Sequence, residues 1–471
     1  MKQSNNPMKR LLALLLAMLM MLALAACAAT EPPAEDPAEE PSAEEPADDA
    51  SGEEEEALAP AEDATELPEE PVEEIEPVLD PAGSYSLVNY VYNWGSNYGK
   101  IILKDASDAE AVNYTVSVWR YDTAGGVLDH GERAVTAAYA SDAEGNESAD
   151  GGYVTLDVEV SAASGLGAPY YTDPDSFYSQ LKSWADCSYT ITNNASGQVW
   201  NQLETVYHPD EEAFETGSFT AADGVTMSYA SYAPEEDGAK HPLIIWLHGA
   251  GSGGTDIGFV TGGMLVTNFI SEETQAIFGG AHVLLPQSPT WWLDDGSEYH
   301  YSADGSNIYN VPMMELIEKY IAEHPDVDRE RIYIGGCSNG GYMTVAMCLA
   351  YEDYFAAGFP VCEAYQDAWI TDEGIQILKE TPLWFVHCSN DPVVDVTTTS
   401  VPTYQRLLAA DADVHYTTFE TIIDPDYGNE YGGHFAWVYA LKNLCTTDYD
   451  GSSVVEDGKE VSLFEWLAAQ N

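Results

Sequence analysis

The sequence predicts a mostly parallel α/β sheet with helices on both faces, preceded by a β-sandwich domain. After about residue 209, apolar segments such as HPLIIWL and HVLLPQ alternate with helical stretches such as PMMELIEKYIAEH. Between residues 84 and 208, short alternating segments rich in Val, Tyr and Thr recur between Gly, Asn and Asp clusters. A glycine-rich serine turn centred on Ser338 separates an apolar segment from a helical one. These observations divide the folded part into domains at 84–208 and 209–471.

The overall charge limits the classes of partner. The 471 residues contain 80 Asp and Glu against 16 Lys and Arg, a formal net charge of −64. Such a charge disfavours nucleic acid and anionic membrane surfaces as partners, and also strongly acidic substrates. It is typical of a soluble exported or salt-exposed protein.

Residues 1–27 are typical of a secretory signal. Lys2, Lys9 and Arg10 precede an apolar run that is short for a membrane span. The run ends in Leu-Ala-Ala-Cys27, which resembles the lipobox of bacterial lipoproteins, where the cysteine is lipidated. A single uncleaved anchor helix is the alternative. Either interpretation predicts an extracellular protein held at the cell membrane.

Residues 28–83 consist mainly of Glu, Asp, Pro and Ala and contain no basic residue. This segment has too little apolar surface to offset the entropy of ordering, and its charges repel one another. We therefore expect an extended, disordered tether between the membrane and the folded domains.

The β-rich segment 84–208 shows no active-site signature. Its aromatic residues Trp94, Tyr98 and Trp119 are of the type that forms carbohydrate platforms, but packing within or between domains is the favoured interpretation. Six cysteines follow Cys27, and six cysteines allow 15 disulfide pairings, so we predict no particular bridge.

Ser338 is the candidate nucleophile. It lies at the centre of Gly336-Cys337-Ser338-Asn339-Gly340, between a predicted strand and a predicted helix. A sharp turn there exposes the serine hydroxyl, and glycines two residues away leave room for the turn. We expect Cys337 to be a small buried residue rather than a reactive one.

Two partners for this serine follow in the chain. Asp391 comes after the predicted strand LWFVH and is the candidate acid, with Asp395 as its rival. His434, in the glycine-flanked segment EYGGHFAW, is the candidate base. The order Ser338, Asp391, His434 is that of the α/β-hydrolase fold and differs from the chymotrypsin and subtilisin orders.

Other residues are predicted to complete the site. The N–H groups of Ala250, in the loop after LIIWL, and of Asn339 are the candidate oxyanion donors. His248 is expected to hold that loop rather than react. Trp291 and Trp292 either contact the substrate or pack on the core, and the sequence favours neither interpretation.

The hydrolase segment resembles the polyhydroxybutyrate-depolymerase and feruloyl-esterase-like branch of α/β hydrolases. The matching segments, in order, are WLHGAGSGGTD, LLPQSPTWW, VDRERIYIGGCSNGGYMT, WFVHCSNDPVV and GGHFAWVYAL. With the β domain in front, the chain is similar to esterases that carry an immunoglobulin-like N-terminal domain. Two departures are VHCSND, where the family usually has His-Gly before the acid, and Cys337, where a larger apolar residue is usual.

The resemblance implies hydrolysis of acyl, acetyl or cinnamoyl esters, free or linked to polysaccharide, through an acyl-enzyme on Ser338. It implies no cofactor. The ten histidines show no H-E-x-x-H motif and no paired Cys/His spacing, so the sequence predicts no metal site. Two alternatives stay open: a prolyl-oligopeptidase-type peptidase, whose propeller would need more β structure, and a non-catalytic surface binding module.

Overall fold

A computed structural model describes residues 76–77, 79–176 and 180–471. The predicted signal segment 1–27 with Cys27, and most of the predicted tether 28–83, lie outside the described residues. Within the part that is described, no helix has the length and apolar character needed to cross a membrane.

The N-terminal domain is built from one continuous eight-stranded sheet with the order β4-β3-β9-β10-β1-β2-β6-β5. A two-stranded hairpin, β7 and β8, extends from it. The strand bounds are β1 Gly83–Tyr92, β2 Gly95–Lys104, β3 Tyr114–Tyr121, β4 Val127–Arg133, β5 Val135–Ser141, β6 Tyr153–Val158, β7 Tyr170–Thr172, β8 Lys182–Trp184, β9 Asp186–Asn193 and β10 Val199–Tyr207.

The sheet folds over on itself and encloses its own core. Residues of β3 alternate strictly between buried and half-buried, as expected of a strand with one face in a core. Val118 of β3 and Ile191 of β9 share a buried cluster with Ile101 of β2 and Leu156 of β6, which lie in the other half of the sheet. The predicted sandwich is therefore confirmed, although its two layers are one hydrogen-bonded sheet.

The second domain contains another eight-stranded sheet, with the order β11-β12-β14-β13-β15-β16-β17-β18. The six strands from β14 to β18 in this order are parallel, whereas β11 and β12 pair antiparallel at one edge. The strand bounds are β11 Glu215–Thr220, β12 Thr226–Tyr232, β13 His241–Leu247, β14 His282–Gln287, β15 Val327–Cys337, β16 Ala357–Val361, β17 Leu383–Cys388 and β18 Val414–Phe419; short hairpins add β19 Ile422–Ile423, β20 Glu430–Tyr431, β21 Val455–Glu456 and β22 Lys459–Glu460.

Helices cover both faces of this sheet. Along the fully buried strand β13, Ile244 and Trp246 belong to one apolar cluster, whereas Leu243, Ile245 and Leu247 belong to the other. The helices are α1 Gly258–Thr261, α2 Glu272–Phe278, α3 Asn310–Glu323, α4 Asn339–Ala350, α5 Asp372–Leu378, α6 Ser400–Ala409, α7 Trp437–Leu441 and α8 Leu463–Ala469.

The two clusters divide these helices between the faces. The first includes residues of α7 and α8, and the second includes residues of α3, α4 and α6. Burial on both faces explains why the strands read as continuous apolar runs, and the predicted α/β-hydrolase architecture is confirmed. The carboxyl ends of β13, β15, β16 and β17 meet at one edge of the sheet, where open α/β sheets bind their ligands.

Candidate active site

Ser338 occupies a strained turn between β15 and α4. Its φ of 56° and ψ of −115° are unusual for a residue with a side chain. Close approach of the backbone explains the two flanking glycines. A Cβ on Gly340 would lie 1.9 Å from the Leu247 carbonyl oxygen, and one on Gly336 would lie 2.6 Å from the same atom. The turn therefore depends on glycine at both positions, as predicted.

The structure brings the three predicted triad residues together in hydrogen-bonding geometry. His434 Nε2 lies 2.9 Å from Ser338 Oγ, and His434 Nδ1 lies 2.7 Å from Asp391 Oδ2. Gly433 allows this approach, because a Cβ there would come within 2.3 Å of Asn390 Oδ1. The order of these contacts is the one that acyl transfer requires of a nucleophile, a base and an orienting carboxylate.

Asp391, and not its rival Asp395, contacts the histidine. The Asp391 side chain is fully buried, and its Oδ1 accepts the N–H groups of Val393 at 2.8 Å and Val394 at 3.0 Å. Asp395 is exposed and caps its own turn by accepting from Thr397. Burial alone would raise the pKa of Asp391, but hydrogen bonds from His387 and His434 outweigh it and hold the pKa well below its ordinary value.

His387 is a site residue that the sequence interpretation missed. Its Nε2 lies 3.0 Å from Asp391 Oδ2, the oxygen that also faces His434. Its Nδ1 lies 2.7 Å from Ser400 Oγ, which in turn contacts Glu363 Oε1 at 2.9 Å. The histidine of VHCSND was visible in the sequence, but no sequence signal indicated Glu363 or Ser400, because the contacts join different elements of the fold.

The loop after β13 is held by His248, as predicted. His248 is fully buried, and burial lowers its pKa to about 4, so the ring is neutral at pH 7. Its Nε2 accepts the Ser288 N–H at 3.1 Å, and its Nδ1 lies 2.7 Å from the Gly249 carbonyl oxygen. These contacts assign His248 a structural role.

The candidate oxyanion donors lie at two adjoining turns. Ala250 begins a 3-10 turn after β13, and Asn339 begins α4, so neither N–H group has an acceptor in a preceding helical turn. The approach of Gly340 to Leu247 and His248 places the two turns in contact. The joint role of the two N–H groups stays a prediction.

Trp292 packs in the core of the hydrolase domain, which is one of the two interpretations that the sequence left open. Its side chain is fully buried, its Nε1 donates to the His248 carbonyl oxygen at 3.0 Å, and its backbone N–H donates to Asn339 Oδ1 at 2.6 Å. Trp291 is only 6% exposed and donates to the His300 carbonyl oxygen at 2.6 Å. Packing, the second of the two interpretations, therefore describes both residues, and Trp292 links the loop that carries Ala250 to the serine turn.

The thiols near the site are buried and unbridged. All six described cysteines are free, and burial raises the pKa of the Cys337 thiol to about 12. Cys362 Sγ lies within 4.8 Å of ligand atoms of Asp391 and His434, a spacing that three metal ligands also show. The two latter residues are already oriented toward each other and toward Ser338, so the triad accounts for their proximity.

The N-terminal domain contacts the loop that carries His434. Asn93 Nδ2 donates to Asp424 Oδ1 at 2.8 Å and to Asp426 Oδ2 at 3.0 Å. The ring of Trp94 meets the ring of Tyr427 edge-on, with a centroid separation of 5.1 Å. Trp94 therefore packs between the domains, as favoured over a carbohydrate platform.

The same domain contacts the loop that carries Ala250. Trp184 Nε1 donates to Asp256 Oδ2 at 2.6 Å, and its ring stacks on Phe259 with centroids 4.4 Å apart. A Cβ on Gly253 would lie 3.1 Å from Leu181 Cδ2. The loop that carries Ala250 and the loop that carries His434 are therefore both packed against the N-terminal domain.

Comparisons with known proteins agree with this architecture. Residues 84–202 match the family described as esterase Ig-like N-terminal domain, and residues 232–424 match the phospholipase/carboxylesterase family. The second match includes Ser338 and Asp391 and ends before His434.

Two individual proteins are similar to the chain. Feruloyl esterase B of Neurospora crassa is 31% identical over 133 residues, which is 27% of this chain and 41% of that relative. The match therefore spans less than half of the relative's length. The crystal structure of a thermostable esterase superposes with a TM-score of 0.62 at 22% identity, over 76% of this chain and 96% of that one, and shows a shared fold.

Proposed function

We propose that the chain is a serine hydrolase that cleaves carboxylic esters through an acyl-enzyme on Ser338. Its matches to the esterase Ig-like N-terminal family and to the phospholipase/carboxylesterase family support this proposal. The observation that carries the proposal is the continuous contact from Ser338 Oγ through both nitrogens of His434 to Asp391, at 2.9 and 2.7 Å. A nucleophile, a base and a fixed carboxylate are what acyl transfer needs.

In the proposed reaction, Ser338 Oγ attacks the ester carbonyl carbon while His434 Nε2 takes the hydroxyl proton. Asp391 holds the proton on His434 Nδ1 and stabilises the imidazolium that forms. The Ala250 and Asn339 N–H groups donate to the oxyanion. His434 returns the proton to the departing alcohol, and a water molecule then releases the acid by the same steps in reverse.

We further propose small acyl, acetyl and cinnamoyl esters, including those linked to polysaccharide, as the substrate class. The similarity to a feruloyl esterase over part of the chain supports the cinnamoyl ester. The surplus of Asp and Glu favours neutral over anionic esters, because like charges repel. The N-terminal β domain spans only about 120 residues, too few for the several blades of a propeller, which supports an esterase over a peptidase with a propeller domain.

The location is also a proposal. The basic residues, the apolar run and Leu-Ala-Ala-Cys27 support export and lipid attachment at Cys27, with residues 28–83 as a tether. Labelled palmitate should enter the wild-type chain and not Cys27→Ala in a bacterial host. Equal labelling of the two chains would contradict the lipid anchor.

The enzymatic proposal is tested with a fluorophosphonate probe on the full chain. The wild type should be labelled, and Ser338→Ala should not. Nitrophenyl esters of acetate, butyrate and ferulate are then compared with aminoacyl-proline amides. An unlabelled wild type would point to a binding module, and preferential amide cleavage would point to a peptidase.

A further inference from the structure

A buried chain of polar groups, formed by His387, Ser400 and Glu363, begins at Asp391. His387, Ser400 and Glu363 are each no more than 1% exposed. The successive contacts are 3.0 Å from Asp391 Oδ2 to His387 Nε2, 2.7 Å from His387 Nδ1 to Ser400 Oγ, and 2.9 Å from Ser400 Oγ to Glu363 Oε1. The Tyr365 N–H donates to Glu363 Oε2 at 2.6 Å and fixes the far end.

Counting hydrogens shows how many protons these buried hydrogen bonds require. Three contacts need three hydrogens, because two acceptors facing each other at these distances repel. The Ser400 hydroxyl supplies one hydrogen, and a neutral His387 supplies one. The third must lie on Glu363, whose carboxylic O–H then donates to Ser400, or on His387 as a second ring proton, in which case Ser400 donates to an ionised Glu363.

We propose that Glu363, Ser400 and His387 are positioning residues that hold Asp391 in place for catalysis, and that this chain works only while Glu363 and His387 together keep one proton more than a carboxylate and a neutral imidazole. The inference rests on the proposed function of Ser338, because it concerns the regulation of that same site. It predicts that the enzyme loses activity in alkaline solution because Glu363 and His387 lose their extra proton.

The surroundings favour a protonated Glu363 and a neutral His387. Burial raises the pKa of Glu363 to about 8; hydrogen bonds from Tyr365 N–H and Ser400 offset part of this, and Asp367 adds to it. Burial lowers the pKa of His387. The other titratable groups that face Glu363 are Cys362, Tyr365 and Tyr416. Asp367 is itself paired with Arg406 at 2.9 Å.

Loss of the extra proton would disturb the triad through Asp391. Only two hydrogens would then serve three contacts. If His387 kept its hydrogen on Nδ1, its bare Nε2 would face Asp391 Oδ2 at 3.0 Å and repel it. The same oxygen orients His434, so the carboxylate would move from the position in which it supports proton removal from Ser338.

The test compares Glu363→Gln with the wild type as full-length chains. A glutamine amide donates to Ser400 and accepts from Tyr365 N–H at every pH, as the protonated acid does. With nitrophenyl butyrate, the wild-type kcat/KM should fall at least about fivefold between pH 7 and 9.5. The kcat/KM of Glu363→Gln should change by no more than about twofold between pH 7 and 9.5.

Ser400→Ala removes the link between the two ends. Its kcat should be lower than that of the wild type at pH 7, and its kcat/KM should show no loss near pH 8. A wild-type profile that stays flat to pH 9.5, or an equal alkaline loss in Glu363→Gln, would overturn the inference while leaving the esterase proposal intact.

The extra proton can also be tested without enzyme activity, by measuring how stability depends on pH. The unfolded chain releases the Glu363 proton near the ordinary value of 4.5, whereas the folded chain keeps it to about 8. The stability contributed by this proton is therefore complete below pH 4.5 and is lost as the pH rises to 8.

The measurement is made in a Ser338→Ala background, which carries out no acyl transfer. There the midpoint urea concentration should fall more steeply between pH 5 and 8 with Glu363 than with Gln at this position. If the stability of the two inactive proteins depended on pH in the same way, the proposal of an extra proton would be contradicted, whether or not the wild type is an esterase.

Discussion

Asp391 and His434 are neighbours in the site, but the loops that carry them are held in different ways. The Asp391 carboxylate is fully buried and accepts four hydrogen bonds, from two backbone N–H groups and two imidazoles, all within the hydrolase domain. The His434 side chain is 16% exposed. Its loop is anchored at Asp424 and Asp426 by Asn93, which belongs to the N-terminal domain.

The difference assigns separate tasks to the two domains. A carboxylate that must keep one orientation is best held by a rigid, buried shell of donors. A base that moves a proton twice in each cycle lies on a loop, and a loop needs support from outside its own sheet. The N-terminal domain supplies that support, so we expect it to affect the rate of the chemical step and not only the stability.

The largest loss of activity is expected when the buried carboxylate of Asp391 is replaced. Asp391→Asn removes the charge that stabilises the His434 imidazolium and presents an amide N–H where His434 and His387 need an acceptor. We expect a loss in kcat of about 10³- to 10⁴-fold on nitrophenyl esters. Asp395→Asn, four residues away and exposed, is the matched control and should stay within about twofold. The opposite ranking of the two variants would make Asp395 the orienting acid.

The sequence predicted the parts of this molecule that are encoded locally. The period of the apolar residues shows which strands are buried on both faces, and the glycine spacing around Ser338 reflects contacts within one turn. The continuous hydrogen bonding of the N-terminal sheet could not be predicted in this way. Its order places β10 beside β1, more than a hundred residues away in the chain, and no local pattern encodes that register.

The site shows the same limit. Ser338, Asp391 and His434 each lie in a recognisable segment. Glu363 is connected to the site only because helix α6 places Ser400 between it and His387. The sequence left the role of Trp292 undecided for a related reason. An aromatic residue in a loop after a strand faces either the ligand or the core, and the contact of its Nε1 with the His248 carbonyl oxygen settles this only in three dimensions.

A smaller loss of activity is expected when the N-terminal domain loses its contact with the loop that carries His434. Asn93→Ala deletes a side chain that is 1% exposed and leaves Asp424, also 1% exposed, without one of its donors. Displacement of the His434 loop should lower kcat about 10- to 100-fold. The free energy of unfolding should fall by about 1 to 3 kcal/mol in urea titrations.

The control for this variant is Asn194→Ala in the same domain, where the amide is exposed and donates to Thr115 Oγ1 of that domain. It should change the free energy of unfolding by less than about 0.5 kcal/mol and leave kcat within twofold. An Asn93→Ala enzyme that unfolds more easily but keeps its kcat would limit the N-terminal domain to a stabilising role, and the comparison between the two loops would then fail.

The smallest effect is expected at the ring contact beside Asn93. Tyr427 is 48% exposed, and its ring meets Trp94 edge-on, so the pair should contribute only about 0.5 to 1.5 kcal/mol beyond the area it buries. A double-mutant cycle of Trp94→Ala and Tyr427→Ala measures this coupling in both kcat and unfolding. If the N-terminal domain positions the His434 loop, the coupling appears in both quantities, because the contact is kept in the active state. A coupling seen in unfolding alone would mean that the loop reaches its catalytic position without the rings, and that Asn93 is the contact that matters.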